Sequence, residues 1–344
     1  MLWLPLSILF LASAAITGIA RGLLVRRGLM DQPNARSSHA VPVPRGGGLS
    51  IVLVFLCGVA WEQARHAAPS GLAWALIGGG LAIAIIGFLD DHFSLPIWPR
   101  LSVHVLAAVW ALWCQYKTYA AAGGMSGDWQ AWIVRGITLV ALVWLTNLFN
   151  FMDGIDGIAG VEAVCVSGFG AILMLHGGGT MLAEVSSMLA AASLGFLVWN
   201  WPPAKIFMGD VGSGFLGFSL GVLALFSEEK APPAIWVWLI LLAVFAVDST
   251  ATLLRRLFSR ARWYEAHRSH AYQHAARIIG SHFRVTLAVT VLNVAWLFPL
   301  AWLACRYPSA APVLSAIAIA PLLYVAIRFR AGREDVSDGE AAQN

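Results

Sequence analysis

The chain has 344 residues, of which 59% are hydrophobic and 12% charged, and its mean hydropathy is +0.74. Those values lie far outside the range of soluble domains and exclude an aqueous globular protein. The net charge of +4, from 22 Lys and Arg against 18 Asp and Glu, suits an anionic leaflet and anionic substrates and needs no nucleic acid to explain it.

Windows of about 17 to 22 apolar residues suffice to cross roughly 30 Å of hydrocarbon. Eleven occur in chain order: Leu2 to Ala20, Gly47 to Trp61, Gly71 to Leu89, Leu101 to Tyr116, Trp129 to Leu145, Ile158 to His176, Met181 to Trp199, Ser213 to Phe226, Ala234 to Leu254, Val285 to Cys305 and Ala311 to Ile327. The first lacks a basic start and runs into Arg21, Arg26 and Arg27, so it reads as a retained span and not as a cleaved signal. The expected fold is an all-α polytopic bundle of about 11 transmembrane helices, a single domain over 1–329, with a disordered polar tail over 330–344. With the first loop inside, 17 of the 22 basic residues fall on that side, and only Arg65, Lys117, Arg135, Lys230 and Arg306 fall outside. The positive-inside rule then sets the amino terminus outside and the carboxyl terminus in the cytoplasm. Cys57, Cys114, Cys165 and Cys305 lie in or beside spans with no CxxC spacing and read as small buried apolar residues.

Acidic side chains gather where these spans end on the inner side. A carboxylate costs about 3 kcal/mol or more at mid-bilayer, so a chain this apolar that keeps several beside its spans is using them. The first inner loop, DQPNARSSHAVPVPRGGG, offers Arg36, His39 and Arg45. The third span closes on Asp90 and Asp91, with Arg100 following. Neighbouring carboxylates repel unless a cation intervenes, and such a pair can supply a metal contact and a proton acceptor.

In NLFNFMDGIDG the residues Asn147, Asn150, Asp153 and Asp156 recur every third position. Steps of three drift about 60° around an α-helix, so the four cannot share one face. Gly154 and Gly157 therefore predict that the helix ends near Asp153 and that a turn carries the rest. Hard oxygen donors of this kind suit Mg2+ or Mn2+ held against a phosphate. A polar turn with ordinary caps is the alternative. The seventh span ends at Asn200 in WNWPPAKIFMGDVGSG, where Lys205 and Asp210 follow. Asp210 either caps a helix or supplies a ligand opposite Asn150 and Asp90. Asp248 shares a helical face with Thr252 and Arg255 and either faces a polar cavity open to the cytosol or pairs with another helix. The basic segment 255–284 holds His267, Arg268, His270 and His274 without an HExxH pattern, and reads as cationic donors to a diphosphate or as a loop for anionic lipid.

In this order, Asp90-Asp91, Asn147-x-x-Asn150-x-x-Asp153-Gly, Phe207-Met208-Gly209-Asp210-x-Gly212-Ser213 and the His-rich loop resemble the polyprenyl-phosphate N-acetylhexosamine-1-phosphate transferases over essentially the whole chain. The resemblance implies transfer of a sugar 1-phosphate from a UDP-N-acetylhexosamine to undecaprenyl phosphate, with release of UMP. It also implies Mg2+, or Mn2+ in its place, and a cytoplasmic site in a bacterial inner membrane. By motif position, Asn150 and Asp210 would hold the metal, Asp90 would be the acid–base group, and Asp91 would support metal or water. Asp153 and Asp156 would contact nucleotide or sugar, and His267, Arg268 and His270 would clamp the diphosphate. Arg36, His39, Arg45, Arg100, Asn147, Asn200, Lys205 and Asp248 complete the expected substrate contacts, and a homodimer is compatible with the resemblance. Arg100 stands where relatives carry a lysine, which keeps the charge and alters its geometry. The last loop reads HRSHAYQH where the cell-wall branch has a contiguous histidine run, and this points to the branch that initiates O-antigen or other surface polysaccharide.

Two other classes compete: a secondary transporter of an anionic solute, and a scaffold that recruits enzymes through the basic loop. Transporters place their sites near the midplane between paired repeats. Here the acids gather at one face and no repeat is visible.

Overall fold

The computed structural model describes residues 3–32, 41–65, 71–121, 129–227, 234–259 and 268–333. Arg36, His39 and His267 lie outside the described residues. The order begins with α1 (Trp3–Arg26), α2 (Leu49–Arg65), and α3 (Gly71–Trp74) running through a π-helical turn at Ala75–Gly79 into α4 (Gly80–Phe93). Then come α5 (Ile97–Ala121), α6 (Trp129–Met152), α7 (Ile158–His176), α8 (Thr180–Asn200) and α9 (Asp210–Ser227). Beyond them lie α10 (Ala234–Leu241), α11 (Ala243–Phe258), the short α12 (Ala271–Ile279) and α13 (His282–Leu292). A second π-helical turn, Asn293–Leu297, joins α13 to α14 (Phe298–Arg306), and α15 (Ala311–Arg328) follows.

Each of the eleven expected spans corresponds to helix, and the protein is an all-α polytopic membrane protein. Among the described residues nine helices are long and apolar enough to cross a membrane, and α2 is shorter at 17 residues. The ninth span departs from expectation. Instead of a straight run from Ala234 to Leu254, α10 and α11 meet at a 79° bend. No Pro or Gly marks this break. Backbone hydrogen bonds continue on either side of it, from the Leu242 N–H to the Trp238 carbonyl and from the Ala246 N–H to the Leu242 carbonyl, both at 2.9 Å.

Helix α9 is the most enclosed element, with nearly every side chain buried, and it packs between α4 and α6. Small residues permit that approach. A Cβ at Gly217 would stand 2.3 Å from the Leu145 carbonyl oxygen of α6, and one at Gly87 of α4 would stand 2.5 Å from that of Asp210. Helices in a bilayer associate by such close packing because lipid offers no hydrophobic drive between them. On the other flank α7 and α8 form a hairpin, and α1 lies along α8. Ser13 Oγ donates to the Ala192 carbonyl at 2.6 Å, and Trp199 Nε1 donates to that of Ala14 at 2.8 Å. The outward faces of α1, α5, α6 and α15 expose Leu11, Trp113, Ile137 and Ile317, among others, a surface that suits hydrocarbon.

The tail also differs from expectation. Residues 330–333 are not a loose end: Gly332 N–H donates to the Ser269 carbonyl at 2.7 Å, Arg255 donates to the Ala331 carbonyl at 3.2 Å, and Ala331 is buried. Polar composition hid this, because the contacts are made by backbone. Residues 334–344 lie outside the described residues.

Candidate active site

The residues just before α2 are stitched to the segment before α9. Phe207 N–H donates to the Pro44 carbonyl at 2.8 Å, and the N–H groups of Gly46 and Gly47 return to the Phe207 carbonyl at 3.1 and 2.9 Å. This brings Arg45 over the start of α9. Its Nε lies 2.9 Å from Asp91 Oδ1, and its Nη2 lies 2.6 Å from Asp210 Oδ1. Asp91 itself sits on the amino end of α9 and accepts the N–H groups of Asp210 at 2.9 Å and Val211 at 3.1 Å. Unpaired amides and the positive end of the helix dipole both favour a carboxylate there. The turn ahead of α9 passes through Gly209 at φ +78, where an added Cβ would meet Asp91 Oδ2 at 2.5 Å.

Asp90, one residue earlier at the end of α4, points to a different set of partners. Its Oδ1 accepts the Leu95 N–H at 2.7 Å, its Oδ2 pairs with Arg100 at 2.5 Å, and its carboxyl meets that of Asp210. Asn150, in the last turn of α6, reaches Ser213 Oγ at 3.3 Å and the Asp210 carboxyl. Helix α6 ends at Met152, as the spacing predicts, so Asp153 to Gly157 form the connection to α7. Burial pushes the Asp153 carboxyl well above the usual carboxylate range; Arg45 pulls it down, while Asp210, Asp91 and Asp156 push it further up. Asp90, Asp91, Asn150, Asp153 and Asp210 thus converge with Arg45 and Arg100 at one end of the bundle.

Other expected contacts are committed inside the protein. Asn200 is buried and ties two loops together, its Oδ1 accepting the Gly157 N–H at 3.1 Å and its Nδ2 donating to the Ile206 carbonyl at 2.9 Å. Asp156 accepts the Ala204 N–H at 3.1 Å and faces His282 Nδ1 at 3.3 Å. Asp248 takes the second of its two readings. It is buried and receives the N–H groups of Ala271 and Tyr272, both at 2.9 Å, so it anchors the start of α12 instead of facing a cavity open to the cytosol. His270, the residue before α12, is buried and has one ring edge on Asp248 at 3.5 Å. Arg268, just ahead, accepts Arg277 on its carbonyl at 3.0 Å. Lys205 lies apart from the carboxylates, with its ammonium 5.6 Å from the Trp199 ring centre and Arg21 over the same ring at 5.8 Å. Asn147 donates to the Val143 carbonyl at 2.7 Å and meets His104.

Three residues near the cluster escaped sequence reasoning. His104 is a buried histidine one helical turn after Arg100, and an ionisable residue inside an apolar span is itself the signal. His282 opens α13 beside Asp156. Tyr272 donates its hydroxyl to the Phe151 carbonyl at 3.0 Å and so latches α12 to the end of α6; nothing in its surroundings in the chain announced that.

The family described as Glycosyl transferase family 4 matches residues 73–228. An undecaprenyl-phosphate alpha-N-acetylglucosaminyl 1-phosphate transferase of Haemophilus influenzae is 30% identical over 270 residues, covering 74% of this chain and 73% of that protein. The chain belongs to the polyprenyl-phosphate N-acetylhexosamine-1-phosphate transferases of glycosyl transferase family 4. A probable undecaprenyl-phosphate N-acetylglucosaminyl 1-phosphate transferase of Bacillus subtilis is 28% identical over 281 residues, 80% of this transferase and 77% of that protein. A decaprenyl-phosphate N-acetylglucosaminephosphotransferase of Mycolicibacterium smegmatis is also 28% identical, over 307 residues, with 79% and 75% covered. The family match in this transferase runs from α3 to just past α9. It therefore takes in Asp90, Asp91, Asn150, Asp153 and Asp210, while Arg45 and the His-rich loop lie outside it.

The donor set fits a divalent cation. Among the described residues the carboxyls of Asp90, Asp91, Asp153 and Asp210 stand against two guanidinium groups, Arg45 and Arg100. Among the described residues no three His, Cys, Asp or Glu side chains form a ready metal cage. A magnesium ion needs none, since it is commonly held by one or two carboxylates together with water and substrate phosphates.

Proposed function

We propose that this protein transfers N-acetylglucosamine 1-phosphate from its UDP-linked form to undecaprenyl phosphate, releasing UMP and leaving a diphosphate-linked lipid sugar. The observation that carries this reading is the convergence of Asp90, Asn150 and Asp210 on one another beneath Arg45 and Arg100. The choice of sugar is supported by the names of the relatives in Haemophilus influenzae and Bacillus subtilis.

Asn150 and Asp210 would hold Mg2+, or Mn2+, which when bound draws charge from the diphosphate. Phosphoryl transfer asks the protein for in-line positioning and charge neutralisation more than for covalent help. Asp90, steadied by Arg100 and the Leu95 amide, takes the proton from the lipid phosphate. A freed oxygen of that phosphate then attacks the phosphorus bearing the sugar. The bond from that phosphorus to the bridging oxygen breaks, and UMP leaves with the electron pair. Arg45 spans Asp91 and Asp210 at the amino end of α9, where its remaining donors meet the anionic substrate. Asp153 faces the nucleotide or sugar. Arg268 would approach the diphosphate from the segment that Asp248 anchors, with the buried His270 steadying that segment against Asp248.

The site faces the cytosol of a bacterial inner membrane in this reading, supported by the 17 of 22 basic residues that fall on its side. The product enters surface-polysaccharide or O-antigen synthesis, supported by the interrupted histidines of HRSHAYQH. Purified protein incubated with undecaprenyl phosphate, Mg2+ and UDP-N-acetylglucosamine or UDP-N-acetylgalactosamine tests the reading. UMP release with the first sugar is the expected result, and no release with either overturns it.

A further inference from the structure

Arg21 and Lys205 share one indole, and no step of the proposed reaction uses either. Trp199, in the last turn of α8, is wedged against α1. Its Nε1 donates to the Ala14 carbonyl at 2.8 Å, and a Cβ at Gly18 would stand 2.7 Å from its ring. The Arg21 guanidinium lies 5.8 Å from the ring centre and the Lys205 ammonium 5.6 Å. Backbone bonds fix the pair there. Lys205 N–H donates to the Trp199 carbonyl at 2.8 Å, and the Lys205 carbonyl accepts Arg21 Nε at 3.2 Å. Two like charges held about one ring repel unless an anion offsets them. Among the described residues neither forms a salt bridge; the ion pairs at this end of the bundle use Arg45 and Arg100. With Nε on the Lys205 carbonyl, Arg21 keeps its two NH2 groups, a planar fork that matches phosphate oxygens, beside an ammonium that acts as a point charge.

The surroundings select a lipid over a soluble anion. Ile19 and Leu23 on α1 and Leu194 and Val198 on α8 are exposed, so the helices that carry Arg21 and Trp199 are flanked by hydrocarbon. An indole anchored in apolar surroundings with cations beside it belongs at the level of lipid headgroups. The acceptor lipid is the poorer occupant. Its phosphate has to meet Asp90, whose cation is Arg100, and neither Arg21 nor Lys205 is paired with that cluster. A lipid that is not consumed fits better, with a phosphodiester and a net negative charge.

We propose that Arg21, Lys205 and the Trp199 indole form a binding site for the phosphodiester headgroup of an anionic phospholipid, at the end of the bundle that carries Asp210. The headgroup joins α1 to the segment that leads into α9. That segment is the one in which Phe207 N–H reaches the Pro44 carbonyl at 2.8 Å and the Ile206 carbonyl accepts Asn200 Nδ2 at 2.9 Å. The bound lipid therefore stiffens the approach to Asp210 from outside the catalytic cluster.

Native mass spectrometry of the full-length protein, titrated separately with phosphatidylglycerol, phosphatidylcholine and undecaprenyl phosphate, tests the site. Phosphatidylglycerol is expected to bind on the order of tenfold more tightly than the zwitterionic phosphatidylcholine. The double variant Arg21→Gln, Lys205→Gln is expected to lose that difference, and Arg27→Gln, which removes a charge just past α1 and outside the site, to retain it. Hydrogen exchange of the wild-type protein in phosphatidylcholine nanodiscs, with and without phosphatidylglycerol, is the second measurement and serves if the double variant is not recovered folded. The anionic lipid should slow exchange over 199–207 on the order of fivefold. Equal binding of the two phospholipids, a preference that survives the double substitution, or exchange that ignores phosphatidylglycerol overturns the proposal. Loss of undecaprenyl phosphate binding in the double variant, with phosphatidylglycerol binding intact, assigns the pair to the acceptor and overturns it too. Neither readout requires turnover, so the failure of this site and the failure of the proposed function are distinguishable.

Discussion

Replacing Asp210 with Asn removes one charge from the site and almost nothing from the fold. The backbone N–H groups of Asp210 and Val211 that dock on Asp91 are untouched, and so are the packed glycines of α9. The Asp210 side chain is only 18% exposed, so water screens it weakly. A unit charge about 4 Å from a divalent ion is worth about 8 kcal/mol at an effective dielectric constant of roughly 20. Two effects offset part of this: the asparagine oxygen is still a donor, and Arg45, freed from Asp210, transfers its whole charge to Asp91. A residual loss of about 3 kcal/mol or more corresponds to at least about a hundredfold in rate. UMP release by purified variant across a magnesium titration measures it, with membrane insertion and thermal unfolding as controls. An activity above about a tenth of wild type, a barrier change of only about 1.4 kcal/mol, would refute a direct metal role for Asp210.

Arg45→Lys should lower kcat/KM about tenfold, since one of two charge-assisted hydrogen bonds is lost at a side chain 42% exposed and their usual strength is discounted for water to about 1.4 kcal/mol. Arg65→Ala, which breaks only the pair with Glu62 at the far end of α2, should leave the rate unchanged, and equal effects of the two would undo the placement of the site. Asp91→Asn should lower unfolding stability in detergent by about 1 to 2 kcal/mol because the amino end of α9 loses its anion; Asp90→Asn should cost turnover with little change in melting, and matching melting curves would reverse these roles. Asn200→Ala should destabilise by about 1 to 3 kcal/mol through two abandoned backbone groups while leaving the proposed dependence on magnesium at its wild-type value, which a thermal melt and a metal titration together resolve.

The outline of this molecule was readable from the chain because a bilayer leaves few choices. Backbone groups must be satisfied within each span, so length and apolarity alone placed the helices. The end of α6 was readable as well, since a period of three conflicts with a helix and Gly154 and Gly157 offer the turn. Three things were not. The break after Leu241 has no Pro or Gly to announce it. Asn200 and Asp248 look like ligand contacts in the chain, and only coordinates show that their hydrogen bonds are already consumed by backbone donors and acceptors. Asp91 differs from Asp90 for the same reason: adjacent in sequence, one is held by α9 and Arg45 and the other by Arg100.

The four residues after Phe329 have a practical bearing on how this protein is handled. Gly332, at φ +78, lies so close to α11 that a Cβ there would stand 2.9 Å from the Thr252 carbonyl oxygen, and the His274 ring meets the Arg333 carbonyl at 3.2 Å. Trimming the gene back to Arg328 to shorten an expression product would spare every hydrophobic stretch and still unhook this clasp. Affinity tags and reporter fusions belong beyond Arg333, with a spacer, or they will pull on the segment that Asp248 anchors.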